Sequence, residues 1–278
     1  MIDLLFDSEA FKVAPADMPF IYTSGLIGPY FINTHYLCGG KEVATEVLDL
    51  IDAEAEKEGF QQKLTKKLEK IYQSSEIFKK TIDKTVELIK SSEIEFDLVS
   101  GGQRRDWFFS PIVAAHLSKP CTWIYKDAST FDSPGKEIKY LNSASVINVA
   151  DLLTIGSSYQ RAWHPELKNR NASLDYAFNI VDRNQGGEAN LKELGIKKVL
   201  SIFNVDNNFF DMALSKDLIK KEQHSVLVNY LKDSNTSMKK FLTQNPEFIE
   251  KARSSNNSKT KSRVDMLLEK DLYGVFKA

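Results

Sequence analysis

Five short apolar segments alternate with longer stretches of helical spacing through the middle of the chain. They occupy residues 96–100, 121–125, 145–149, 176–181 and 199–203. Short segments rich in β-branched and aromatic residues, separated by roughly 10 to 15 residues of helical pattern, indicate βαβ units. The pattern therefore predicts an α/β domain built on a parallel sheet.

Two other regions have a helical pattern throughout. Glycine and proline are scarce in residues 41–92 and again beyond residue 195, and apolar residues in both regions recur at spacings of three and four. We predict two or three helices within 41–92 and a helical appendage from about residue 209. A polar stretch at 254–258 predicts a loop or mobile linker. The expected organisation is an α/β domain at 1–208, including 41–92, and a C-terminal helical extension at 209–278.

Composition narrows the class of protein. The chain has 278 residues, with 37 Lys and Arg against 38 Asp and Glu, so its formal net charge is -1. This balance argues against a nucleic-acid coat or a polybasic membrane binder. Cys38 and Cys121 are too few for a disulfide framework, and the sequence shows neither the order of a signal peptide nor a membrane span. We expect a reduced cytoplasmic protein with no membrane and no nucleic-acid partner.

Candidate chemistry lies where the predicted strands end, because ligands of parallel sheets bind at the carboxyl ends of the strands. The first strand is followed by Gly101, Gly102, Arg104 and Arg105, and then by a helical pattern. Glycines let the backbone approach a ligand, a helix N-terminus attracts anions, and arginines donate paired hydrogen bonds to phosphate. The pattern predicts an anion site, with a plain strand-to-helix turn bearing solvated arginines as the alternative.

A second candidate anion site follows the third strand. Asp151 precedes a loop that contains Thr154, Gly156, Ser157 and Ser158. Hydroxyls and successive backbone amides at such a turn can wrap a phosphate monoester. Asp151 is placed to hold ribose hydroxyls or the water shell of Mg²⁺, although an aspartate that caps the turn would look the same.

The fourth strand ends in Asp182 and Arg183. An arginine that emerges beside two anion loops can hold a substrate carboxylate through a bidentate pair. A surface ion pair between Asp182 and Arg183 is the alternative, and this short motif does not decide between them.

In this order the motifs resemble those of the type I phosphoribosyltransferases, most closely the members that act on orotate. The resemblance spans about residues 20–205. Residues 23–31 resemble the segment that closes over the base, and 101–106 resemble the pyrophosphate loop. Residues 150–158 resemble the signature for phosphoribosyl pyrophosphate (PRPP), and 181–187 the segment whose arginine holds the orotate carboxylate. The resemblance implies a phosphoribosyltransferase-like core with a helical insertion near the N-terminus and a helical C-terminal appendage.

The resemblance also implies an activity: a glycosyltransferase that moves ribose 5-phosphate from PRPP to a nucleobase, with orotate as the expected base. This is a step of pyrimidine nucleotide synthesis; pyrophosphate is released, Mg²⁺ is the cofactor and a homodimer is the expected assembly. The resemblance assigns three groups of residues to parts of the substrates. Those for pyrophosphate are Gly101, Gly102, Arg104, Arg105 and Lys126. Those for the 5-phosphate are Thr154, Gly156, Ser157 and Ser158, and those for the base are Ser24, Tyr30, Phe31 and Arg183. Lys126, Asp127 and Asp151 are the expected catalytic residues, and Asp151 is also the expected, indirect magnesium contact.

The sequence departs from the family pattern at two places. Ala150 replaces the first acid of the signature, and Ile155 replaces a threonine. In the segment that resembles the family's mobile loop, residues 125–132, Ser129 and Phe131 replace a lysine and a histidine. These changes favour a second hypothesis, a phosphoribosyltransferase-like binding or regulatory protein without turnover. A third, an α/β enzyme for another phosphorylated small molecule, leaves residues 23–31 and Arg183 unexplained.

Overall fold

The computed structural model describes residues 1–254 and 257–276 of the chain. In chain order its helices and strands are α1 (Ile2–Asp7), β1 (Phe11–Val13), β2 (Phe20–Ile21), β3 (Ile27–Gly28), β4 (Tyr30–Ile32), α2 (Lys41–Glu54), α3 (Phe60–Ser74), α4 (Glu76–Ser91), β5 (Leu98–Gly102), α5 (Ser110–His116), β6 (Cys121–Ile124), β7 (Thr130–Asp132), β8 (Ala144–Leu153), α6 (His164–Asn169), β9 (Ala172–Asp182), α7 (Gly187–Glu193), β10 (Lys198–Asn204), α8 (Asn207–Ser215), α9 (Lys221–Lys232), α10 (Ser234–Gln244), α11 (Glu247–Arg253) and α12 (Ser258–Lys270). Short 3-10 helices lie at Thr34–Cys38 and Asp106–Phe108, and a π-helical turn lies at Tyr159–Trp163.

The chain forms two compact units. The first contains residues 1, 3–10 and 34–205, and the second contains residue 2, residues 11–33 and the described residues from 206 onward. As a division into functional domains, 1–208 and 209–278 stays a prediction. Among the described residues, no helix is both long and apolar enough to cross a lipid bilayer.

The first unit is built on a six-stranded sheet with the order β10-β9-β8-β5-β6-β7. All neighbouring strands are parallel except β7, which runs antiparallel to β6. The prediction of a parallel α/β core is confirmed, since each of the five apolar segments coincides with a strand. The strand order reverses between β5 and β8, and ligands of such sheets bind at the carboxyl ends of the strands at this reversal.

The insertion between the N-terminal segment and the sheet consists of α2, α3 and α4, as predicted. Helix α3 buries Phe60, Leu64, Leu68 and Ile71, which share one face because they are three or four residues apart. Helix α4 begins after Ser75, whose side-chain oxygen accepts a hydrogen bond from the amide of residue 78. Apolar periodicity and one N-cap are thus enough to account for these helices.

A buried polar network crosses the sheet beneath the turn that follows β8. Ser100 Oγ donates to Asn148 Oδ1 (2.8 Å), and Asn148 Nδ2 donates to the hydroxyl of Tyr159 (3.3 Å). The Tyr159 hydroxyl in turn donates to Asn179 Oδ1 (3.0 Å). The network links β5, β8 and β9 to the turn at 159–163, so it fixes the start of that turn to the sheet.

We expect Tyr159→Phe to lower the free energy of unfolding by about 1–3 kcal/mol, because Asn148 Nδ2 and Asn179 Oδ1 both lose their bond to the Tyr159 hydroxyl. Urea denaturation measures this change. Tyr140→Phe is the matched control, because Tyr140 is an exposed tyrosine that also accepts a side-chain hydrogen bond, from Asn171. Equal stability of wild type and Tyr159→Phe would show that the network contributes nothing net.

The second unit packs helices α8 to α12 with two short antiparallel strand pairs, β1 with β4 and β2 with β3. Aromatic rings form much of its core: Phe11 stacks on Tyr30 at a centroid distance of 5.2 Å, and Tyr230 meets Tyr30 edge-on at 5.7 Å. The predicted helical extension is confirmed. The predicted break at 254–258 falls between the end of α11 and the start of α12, and its residues 255 and 256 lie outside the described residues.

Candidate functional site

The loops that follow β5, β6 and β8 are joined by hydrogen bonds at the reversal of the strand order. The amide of Asp151 donates to Asp106 Oδ1 (3.0 Å), and the amide of Lys126 donates to Gln103 Oε1 (3.0 Å). The loop at 103–106 therefore lies between the other two. Three of the segments that the sequence singled out are thus brought together at one edge of the sheet.

The loop after β9 joins the loop after β8. The amide of Arg183 donates to the carbonyl of Leu153 (2.9 Å). A Cβ atom on Gly187 would lie only 2.6 Å from the carbonyl oxygen of Thr154, so glycine is required for the start of α7 to approach this loop. Asp182 is buried, and its carboxylate accepts the amide of Asn184 (2.8 Å). Burial raises the pKa of Asp182. Because Asp182 is 3% exposed, it does not fit the alternative of a surface ion pair with Arg183.

Gly101 and Gly102 form the last two residues of β5 and adjoin side chains of the protein itself. A Cβ atom on Gly101 would lie 2.1 Å from Ser110 Oγ, and one on Gly102 would lie 2.2 Å from Trp163 Nε1. The amide of Gly102 donates to Asp106 Oδ2 (2.9 Å). The glycines are therefore explained by internal packing, and the Gly102 amide already has an acceptor.

The two arginines of the loop after β5, Arg104 and Arg105, differ in their surroundings. Arg104 Nη1 donates to both carboxylate oxygens of Asp52 on α2, at 2.9 and 2.7 Å. Arg105 is exposed and forms no ion pair within the described part of the chain. The charge of Arg105 acts on two buried groups: it opposes protonation of His35 and favours ionisation of Asp151. Arg105 is thus the arginine whose side chain is available to an anion.

The segment expected to be a mobile covering loop is a short hairpin turn between β6 and β7. The amide of Tyr125 donates to the carbonyl of Ser129 (2.9 Å). Asp127 accepts both the amide and the hydroxyl of Ser129, at 3.0 and 2.6 Å, and these bonds hold the pKa of Asp127 below its usual value. Phe131 packs edge-on against Tyr125 at 5.0 Å. Ser129 and Phe131 therefore close the turn, and the exposed Lys126 has no ion-pair partner among the residues described.

The loop between β8 and the π-helical turn presents hydroxyl groups. No described residue hydrogen-bonds to the side-chain oxygens of Thr154, Ser157 and Ser158. Gly156 has φ +77°, and a Cβ there would lie 2.4 Å from Leu191 Cδ1, so both conformation and space require glycine. Three hydroxyls on a tight turn are a suitable set of ligands for a phosphate.

Two carboxyl groups meet at the strand reversal. Asp106 is 4% exposed, and its burial together with the nearby Asp151 raises its pKa well above the ordinary value. Burial also raises the pKa of Asp151, against the opposing effect of Arg105. Asp151 Oδ2 is buried and has no hydrogen-bond partner in the described chain. Ala150, where the family has its first acid, is fully buried in the apolar core with Tyr159.

A magnesium ion can be tested against these groups. The described residues contain no group of three or more His, Cys, Asp or Glu side chains able to hold a metal ion. Mg²⁺ in phosphate-binding sites commonly takes one or two carboxylate oxygens and completes its shell with water and substrate oxygens. The single unpartnered oxygen of Asp151 fits that indirect role.

The predicted base-binding residues other than Arg183 lie in the second unit. Ser24 Oγ accepts the amide of Leu26 at 3.4 Å. Tyr30 is 1% exposed, and its ring is covered by the aromatic core of this unit. Phe31 is 37% exposed and lies 6.1 Å from the ring of Phe20. Of the two aromatic residues, Phe31 has the accessible ring.

Sequence reasoning missed the side chains that hold the loops. Asp52 lies 52 residues before Arg104, in a helix whose pattern explains only its buried face. Asp106 was part of the predicted loop, yet nothing near it in sequence shows that its partners are Gly102 and Asp151. The sequence contains one signal: Asp106 and Asp151 lie in two of the predicted loop segments, and the acid that the family pattern has beside Asp151 is replaced by Ala150.

Comparison with known proteins gives consistent relatives at low identity. No family model matches the chain. Orotate phosphoribosyltransferase of Sulfolobus acidocaldarius is 24% identical over 164 residues, which are 59% of this chain and 81% of that protein.

Solved structures share the fold. Orotate phosphoribosyltransferase of Francisella tularensis matches with a TM-score of 0.55 and 16% identity, over 83% of this chain and 96% of that one. UMP synthase of Leishmania donovani matches with a TM-score of 0.58 and 14% identity; the match covers 83% of this chain but 41% of that longer protein. The sequence relatives and the shared fold together support a divergent type I phosphoribosyltransferase, similar to the orotate phosphoribosyltransferases.

Proposed function

We propose that the protein transfers ribose 5-phosphate from PRPP to a carboxylate-bearing nucleobase, with orotate as the expected base, and releases pyrophosphate. One observation carries the proposal. Adjoining loops at the strand reversal present the unpaired cation of Arg105, the unpartnered carboxylate oxygen of Asp151 and the hydroxyls of the 154–158 loop. These groups match the pyrophosphate, the ribose and the 5-phosphate of PRPP.

The 5-phosphate is bound by the loop after β8. Thr154, Ser157 and Ser158 donate their hydroxyls, and the backbone amides at the start of the following helical turn add further donors. The turn is held to the sheet through Tyr159, so the donors are in place before the ligand arrives. Such preorganisation favours binding because little ordering remains to be done.

In this proposal the pyrophosphate is bound by Arg105 and Lys126. Arg104 joins them only by exchanging Asp52 for a phosphate oxygen. Gly101 and Gly102 contribute by letting Ser110 and Trp163 pack against the end of β5. We therefore assign their role to the shape of the loop.

Catalysis consists of positioning and charge stabilisation. The bond from the sugar to pyrophosphate breaks as the base nitrogen attacks, and negative charge grows on the leaving group. Arg105 and Lys126 stabilise that charge, and Asp151 accepts hydrogen bonds from the ribose hydroxyls. Mg²⁺, held by substrate oxygens and Asp151, would supply further positive charge to the leaving pyrophosphate.

The base is assigned to Arg183, which would pair with its carboxylate. The roles of Ser24, Tyr30 and Phe31 toward the base stay predictions. Arg183 emerges directly after β9, and Phe31 has the accessible ring of residues 23–31. The homodimer and the cytoplasmic location implied by the resemblance stay predictions.

A second candidate function is a binding or regulatory protein that keeps the PRPP pocket without turnover. The closed β6–β7 turn favours it, because Ser129 and Phe131 are used inside the turn and leave no long loop to cover the reacting groups. Water then has access to the site, and exclusion of water strengthens electrostatic catalysis.

Titration calorimetry with PRPP and Mg²⁺, followed by a pyrophosphate-release assay with orotate, tests both candidates. We expect the wild type to bind PRPP and Asp151→Asn to bind at least about tenfold more weakly, because a charged acceptor is lost. Asp97→Asn is the matched control, since Asp97 accepts an amide at the opposite end of β8. Release of pyrophosphate supports the enzyme, binding without release with any tested base supports the regulator, and absence of PRPP binding contradicts both.

A further inference from the structure

Asp106 connects the ends of the two strands that precede the loops assigned by the proposed function to the two ends of PRPP. Its Oδ2 accepts the amide of Gly102 (2.9 Å) and its Oδ1 accepts the amide of Asp151 (3.0 Å). The side chain is 4% exposed, so the two bonds form away from bulk water. One carboxyl group thus holds the end of β5 and the last part of β8 at a fixed separation.

The amides of Gly102 and Asp151 lie close to the residues that are proposed to bind PRPP, so a change in the distance between these amides would move those residues. Gly102 is followed directly by the loop that carries Arg104 and Arg105, and Asp151 is followed by the loop that contains Thr154. An asparagine at 106 accepts through one oxygen only, so one of the two amides would lose its acceptor.

The neighbouring strand provides a second observation. The acid expected at position 150 is an alanine in the apolar core, and Asp106 brings a carboxyl group to Asp151 from the 3-10 helix that follows β5. Asp151 itself retains a buried oxygen without a partner. The two acids at this point in the fold therefore come from two separate segments, the 3-10 helix at Asp106 and β8, rather than from consecutive residues of one strand.

We propose that Asp106 is a positioning residue that sets the spacing between the pyrophosphate loop and the 5-phosphate loop. The inference rests on the proposed function, because it concerns the affinity of the same site for PRPP. A ligand that touches both loops depends on Asp106, whereas a ligand that touches one loop does not. Asp106 acts through Gly102 and Asp151 and makes no contact with the ligand in this role.

Titration calorimetry of PRPP with Mg²⁺, and separately of inorganic phosphate, distinguishes positioning from general stability. We expect PRPP to bind about tenfold more weakly to Asp106→Asn and about a hundredfold more weakly to Asp106→Ala, as one and then both amides lose their acceptor. Phosphate, which occupies one loop at a time, should bind both variants within about twofold of wild type. A general loss of structure would weaken both ligands.

Asp175→Asn is the matched control. Asp175 is also buried and accepts two side-chain hydrogen bonds, from Ser145 and Ser173, but it lies at the amino end of the sheet. The Asp175→Asn variant should be less stable than wild type but should bind PRPP with wild-type affinity. Wild-type affinity in a folded Asp106→Ala, or unfolding of both Asp106 variants, overturns the inference alone. If the wild type binds no PRPP, the proposed function fails and the inference fails with it.

Discussion

Replacing Arg105 with alanine is expected to weaken PRPP binding by roughly 10- to 100-fold, which corresponds to one charged hydrogen-bonding group of about 1.5–3 kcal/mol. Replacing Arg104 should weaken it only about threefold, because an exposed ion pair of up to about 1 kcal/mol must first be given up. The difference follows from Asp52, which binds Arg104 through two hydrogen bonds and leaves Arg105 unpaired in the described chain. Titration calorimetry with PRPP and Mg²⁺ measures both variants.

Asp52→Ala provides the control for this prediction. Without Asp52 the guanidinium of Arg104 is available to phosphate, so PRPP should bind as tightly as to wild type or more tightly. The effect of Arg104→Ala should then be larger in the Asp52→Ala background than in wild type. A larger effect of Arg104→Ala than of Arg105→Ala in the wild-type background would contradict the assignment.

Most of the fold could be predicted because its determinants are local. Apolar segments of five or six residues between helical patterns specify parallel strands, since both faces of such strands are buried. Each of the five predicted segments became a strand, and the helices of 41–92 followed from apolar spacing alone. The strand order was not accessible in this way, because it depends on which strands pair across long separations in sequence.

The candidate site was predictable in its residue types but not in its contacts. Gly102 is required by the ring of Trp163, which lies 61 residues later in the chain, and no local pattern reveals that contact. Tyr30 matched a family segment, yet its ring belongs to an aromatic core formed with α8 and α9 residues. Burial of a side chain is decided by the whole fold, whereas motif spacing records only which residue types are present.

His35 shows the same limit most clearly, since its sequence neighbourhood gives no sign of its environment. It lies in the 3-10 helix Thr34–Cys38, is 4% exposed and meets the ring of Phe108 edge-on at 5.7 Å. Its Nδ1 has no hydrogen-bond partner among residues 1–254 and 257–276. Burial, together with the charges of Arg105 and Arg104, lowers the pKa of His35 to about 3.

Acid should therefore destabilise the protein through His35. Above pH of about 6.5 the imidazole is neutral in both folded and unfolded chains and has no effect on stability. Between about 6.5 and 3 the unfolded chain binds a proton that the folded chain excludes. The free energy of unfolding then falls as the pH falls, by about 1.4 kcal/mol per unit.

We expect His35 to remove about 2–3 kcal/mol of stability between pH 7.5 and 4.5, and His35→Leu to abolish that loss. Urea denaturation at both pH values gives the change in the free energy of unfolding for wild type and for the variant. Subtracting one change from the other cancels the titration of all other groups and leaves the contribution of His35. At pH 7.5, His35→Leu should be as stable as wild type or less stable. As the pH falls, the stability of the variant relative to wild type should increase. Parallel pH profiles for the two proteins would show that folding leaves the pKa of His35 unchanged, and would contradict this prediction.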